Sequence, residues 1–90
     1  MPANEPESLY LALRVLLVDA RKAAGLSQVE LAKQLGKHQS YISKVETGER
    51  KLDVIEFLTL IRAIGADPAE IISKLEPPAF EISNRAASPR

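Results

Sequence analysis

Ninety residues with 12 basic and 12 acidic side chains carry no formal net charge, and the chain has no cysteine. Disulfides and thiolate metal sites are therefore excluded, and a single histidine without clustered carboxylates leaves little from which to build a metal centre or a catalytic triad. A content of 46% hydrophobic and 27% charged residues is that of one soluble globular domain rather than a disordered chain. Neither an enzyme nor a bound cofactor or small-molecule ligand is expected, and a packed part of about 70 residues is only marginally stable by itself, so a partner surface would help.

Residues 1–6, MPANEP, are polar and carry two prolines, the composition of a frayed tail, and residues 7–76 are expected to form the domain. The first helix is predicted from Ser8 to about Ala24, with Leu9, Leu13, Leu17, Ala20 and Ala24 on the face that meets the core. Leu11, Val15 and Val18 form a second stripe on the opposite side. Two readings stand for it: scattered surface aliphatics, or a face that packs against the C-terminal segment around Phe80 and Ile82 of the same or a partner chain. The apolar run of this helix is interrupted by Arg14 and preceded by Glu5 and Glu7, which argues against a signal peptide or a membrane span and for a cytoplasmic protein.

The next segment, LSQVELAKQLG, has the marks of a capped helix. Ser27 stands at the N-cap with Glu30 three residues on, Leu31 and Leu35 supply a buried face, and Ala32 is small enough for close helix approach. Gly36 ends it where a left-handed residue is needed. A second short helix follows in KHQSYISKVE, residues 37–46. Tyr41, Ile42 and Val45 recur with helical spacing, while Gln39, Ser40, Ser43 and Lys44 fill the rest of the turn. Those outward groups are neutral or positive hydrogen-bonding groups suited to base edges and phosphate oxygens, although an ordinary amphipathic surface helix has the same pattern. Between Lys33 and Lys51, five cations face two carboxylates, a local charge of +3 that leaves −3 on the rest of the chain. Positive charge is gathered where a polyanion would approach.

Beyond the polar loop TGERKLD, Asp53 is placed as the next N-cap. A fourth helix, about 53–64, carries Val54, Phe57, Leu60, Ile61 and Ile64 on one face and stops at Gly65. Asp67 and Pro68 open a fifth helix with Ile71, Ile72 and Leu75, closed by Pro77 and Pro78. Residues 77–90 are expected to be partly disordered, with Phe80 available for a dimer contact. No strand shows convincing alternation, and the fold class is all-α.

Taken together, GLSQVELAKQLGKHQSYISKVETGER resembles the Cro/cI-type (XRE-family) helix-turn-helix of phage repressors and small bacterial regulators. The likeness runs from about Leu13 to Leu75 and rests on Arg21, Gly25-Leu26-Ser27-Gln28, Leu31-Ala32, Gly36, Tyr41-Ile42-Ser43, Glu46 and Gly48. It implies a five-helix, lambda-repressor-like domain whose helices two and three are the DNA-binding unit, in a bacterial or phage-encoded, nucleoid-associated protein. Val18 and Glu49 stand where relatives often place basic residues, which puts the contacts of those two positions in doubt.

The resemblance implies base contacts from Gln39, Ser40, Ser43 and Lys44, a phosphate contact from Gln28, and a salt bridge between Arg21 and Glu46 that ties helix one to the reading helix. Lys37, Thr47, Arg50 and Lys51 flank that helix as phosphate clamps. Tyr41 either reaches a phosphate or simply packs, and His38 either caps the helix, reaches a phosphate or stands by. Because one short helix reads only a few base pairs, double-stranded DNA is expected to be bound by a homodimer, with Leu58, Ile72, Leu75 and Phe80 as its anchors. The implied function is a repressor acting on a palindromic operator. Alternatives are an antitoxin or interaction module that also holds a partner protein, and a controller of a restriction-modification system that activates as well as represses.

Overall fold

The computed structural model describes residues 6–75, which form five helices: α1 (Pro6–Ala23), α2 (Gln28–Leu35), α3 (Gln39–Thr47), α4 (Val54–Ile64) and α5 (Pro68–Ser73). Of the tail expected over residues 1–6, Pro6 is instead the first residue of α1; residues 1–5, the segment from residue 77 onward and the packing of Phe80 and Ile82 lie outside the described residues. Helix α1 begins two residues earlier than its pattern predicts, at Pro6, since proline at a first turn removes an N–H that has no partner there anyway. Among the described residues there is no strand, and no helix is long and apolar enough to cross a membrane.

Local chemistry sets most boundaries. Ser27 Oγ accepts from the Glu30 N–H at 3.0 Å while the Glu30 carboxylate accepts from the Ser27 N–H at 2.8 Å, a reciprocal box that starts α2. Asp53 and Glu56 repeat the device at α4. At the end of α2, Gly36 takes the left-handed conformation, and the following Lys37 N–H returns to the Ala32 carbonyl at 2.9 Å. This closure reverses the chain within three residues and delivers it to α3.

The core is one cluster in which Leu17 of α1, Leu31 and Ala32 of α2, Ile42 and Val45 of α3, Phe57, Leu60, Ile61 and Ile64 of α4 and Ile71 of α5 are buried. Leu31, Ile42 and Ile61 are fully enclosed, and each contributes on the order of 1.5–3 kcal/mol by leaving water. Helix α2 packs against both α3 and α4, and α1 closes over α3, so α3 is gripped on its inner side.

Three placements differ from the pattern. Ala24 lies beyond the end of α1 and is exposed, whereas Leu16, off the expected face, packs against the core. Val54 is 71% exposed, because the first residue of α4 precedes the turn at which that helix meets its neighbours. On α1, Leu11 and Val15 are 54% and 51% exposed and Val18 is half-buried, so the second stripe is an open surface of the described chain.

Candidate nucleic-acid interface

Helix α3 turns Ile42 and Val45 into the core and leaves Gln39 and Lys44 exposed, with Ser40 and Ser43 half-buried on the same outer side. Its start is capped by His38, whose Nδ1 accepts from the Ser40 N–H at 3.1 Å and lies 3.0 Å from Ser40 Oγ. A cap through Nδ1 requires that nitrogen to be unprotonated.

Behind this edge runs a chain of side-chain hydrogen bonds. Arg21 Nε donates to Glu46 Oε2 at 2.6 Å and Nη2 to Oε1 at 3.1 Å, while Nη1 donates to the Leu26 carbonyl at 2.8 Å. Both side chains of the pair retain only 9% of their exposure. Gln28 Nε2 donates to the same Glu46 Oε1 at 2.8 Å, and Gln39 Nε2 donates to Gln28 Oε1 at 2.7 Å. The carboxylate thus accepts three bonds, and among the described residues no buried side-chain polar atom lacks a partner. For Gln39 the consequence is orientation: one amide N–H is held by Gln28, and its second N–H and its carbonyl oxygen remain for the donor–acceptor pattern of an adenine edge. Gln28 likewise keeps one N–H, at the start of α2 where backbone donors and the helix dipole favour an anion.

The flanking cations divide into two groups. Lys37 and Arg50 lie 5.1 and 5.0 Å from the centre of the Tyr41 ring, so these three candidates come together on one side of α3. Arg50 is also paired with Glu56, and bonds to Glu56 and then Tyr41 hold its guanidinium above its ordinary pKa. Its charge is largely matched within the protein. Lys51 stands apart, 4.5 Å over the ring of Tyr10 from α1, and Thr47 turns its hydroxyl back to the Lys44 carbonyl at 3.2 Å.

Two features escape a reading of the sequence. The Arg50–Glu56 pair joins a loop to a helix that periodicity treats separately. Arg14, whose Nε donates to the Glu46 backbone carbonyl at 3.2 Å, had one available signal, its position seven residues before Arg21 on the same side of α1. Of the proposed dimer anchors, Leu58 and Leu75 are half-buried, Ile72 is exposed, and Phe80 lies outside the described residues.

A family model described as helix-turn-helix matches residues 17–71, from the last two turns of α1 into α5. No curated protein matches the chain. Among solved structures, an XRE-family like protein from Pseudomonas syringae pv. tomato str. DC3000 is 54% identical, with 77% of this chain and 84% of that one covered and a TM-score of 0.74. Helix order and both comparisons agree, and the chain belongs to the XRE family of helix-turn-helix DNA-binding transcription regulators.

Proposed function

We propose that the protein is a homodimeric repressor that places α3 of each protomer in the major groove of a palindromic operator and occludes a promoter, its own included. The observation that supports this most is the Gln39 amide, held at 2.7 Å by Gln28 at the end of the network built on Arg21 and Glu46 and presented on the outer side of α3. In this reading Gln39 addresses adenine, Lys44 the acceptors of guanine, and Ser40 and Ser43 the neighbouring base edges. Gln28, Lys37, His38, Tyr41, Thr47 and Lys51 fix register on phosphates, with Arg50 contributing less because Glu56 already pairs with it.

The dimer surface combines Leu58, Ile72, Leu75 and Phe80 with two residues of α4, Val54 and Ile55, which are 71% and 69% exposed. Large aliphatic side chains this exposed are more economically explained by a second protomer than by water. Twofold symmetry would set the two reading helices about 34 Å apart, one turn of duplex.

Selection of bound duplexes from a random pool tests the whole reading. A palindrome with half-sites one helical turn apart is expected, and recovery of no preferred sequence overturns it. A second reading, an antitoxin or interaction module, is favoured by the open Leu11–Val15 stripe. A stoichiometric protein partner whose capture is lost in Val15→Asp would support that module.

A further inference from the structure

We infer that Arg14 is a positioning residue for DNA reading, one that sets the tilt of α3 from its C-terminal end; the inference rests on the proposal that α3 reads DNA. Two arginines of α1, two helical turns and about 10.5 Å apart, act on a single residue of α3. Arg21 holds the Glu46 carboxylate, and Arg14 Nε donates to the Glu46 backbone carbonyl at 3.2 Å. Side chains on a helix lean toward its N-terminus while carbonyls point toward its C-terminus, so the two grips lie at opposite ends of one residue. One grip alone is a pivot. Two of them fix the angle at which α3 crosses α1.

The carbonyl that Arg14 takes is among the last of α3, which have no partner within the helix, and a cation there also complements the helix dipole. Neighbouring carbonyls are met locally, Lys44 by the Arg50 N–H at 3.1 Å and Val45 by the Gly48 N–H at 3.2 Å. The guanidinium also lies close against Gly48. A Cβ at that residue would stand 2.9 Å from Arg14 Nη1 and 3.0 Å from Cζ, and Gly48 already adopts a φ of +89° that side chains disfavour. The left-handed turn and the arginine therefore fit each other, and together they define where the reading helix stops.

A grip that fixes tilt without touching DNA changes discrimination, not charge neutralisation. With the full chain, Arg14→Met keeps the bulk of the stem and removes the donor. Affinity for the duplex recovered from the random pool is expected to fall about tenfold, the size of one lost base contact. Affinity for an unrelated duplex of equal length, and the salt dependence, should stay as in the wild type, and Arg14→Lys should recover part of the loss. An unchanged ratio between the two duplexes overturns the inference, as does equal weakening of both with a salt slope reduced by about one, which would make Arg14 a phosphate contact. If the wild type selects no DNA, the functional reading fails by itself, and thermal melts still test the grip. Gly48→Ala should lower Tm less in an Arg14→Ala background than in the wild type, and additive losses would refute the coupling.

Discussion

Two ion pairs lie on opposite flanks of α3, and they use the same chemistry in different surroundings. Arg21–Glu46 is almost enclosed, each side chain 9% exposed, and its carboxylate also accepts from Gln28. Arg50–Glu56 lies in the open, its side chains 45% and 28% exposed, with Tyr41 beside the guanidinium. In the first, water cannot replace a lost partner, so each group depends on the other. In the second, solvent screens the attraction and substitutes readily for either member. Charge pairs of similar appearance thus do different work: one fixes α3 against α1, the other ties a loop to α4.

The sharpest way to break that contrast is Glu46→Ala. It strands a buried guanidinium and releases Gln28, with an expected loss of about 3–5 kcal/mol in urea or thermal melts. The Arg21→Met, Glu46→Leu double variant should lose much less than the sum of its parts, and simple additivity would show the pair to be uncoupled. Next in size, Gln39→Ala removes the exposed end of the same network. It should weaken operator binding by about 1–3 kcal/mol and relax preference at one base pair per half-site, read by binding to single-substitution duplexes. Lys51→Ala, outside the network, should weaken binding to every sequence alike and lower the salt slope by about one.

The smallest effect belongs to the open pair. The Asp53 N–H at 3.0 Å, and after it Arg50, hold the Glu56 carboxyl below its ordinary value. A depressed pKa means that this contribution is complete above the unfolded-state value of about 4.3 and is lost as pH falls through the lower folded value. The Tm difference between wild type and Glu56→Gln should accordingly be small at pH 7 and shrink below about pH 4. A difference that persists in acid would assign the effect to packing.

Much of this molecule is legible as a string. Ser27 with Glu30, Gly36 as the stop, Asp53 as a cap and Asp67 before Pro68 act over four residues or fewer, so their consequences follow from local backbone demand. The inner faces of α2 and α3 are equally clear, because Leu31, Ala32, Ile42 and Val45 keep helical spacing. Spacing gave no warning at α4, where Val54 shares the period of Phe57 and Ile61 yet is exposed at the start of the helix. It was also silent on Arg50, a free cation on paper that is paired with Glu56 in the fold.

What the sequence alone determined is the order of five helices, their caps and the family resemblance that singles out α3, since these depend on residues close together in the chain. What only the tertiary structure decided is how that helix is held. Gln39 meets Gln28 across 11 residues and Arg14 meets the Glu46 carbonyl across 32, while the Arg21–Glu46 pair that the resemblance implied closes across 25 with both side chains almost enclosed. Such bonds form only once the core has brought α1, α2 and α3 to fixed distances, and a one-dimensional pattern contains no distances between its periods.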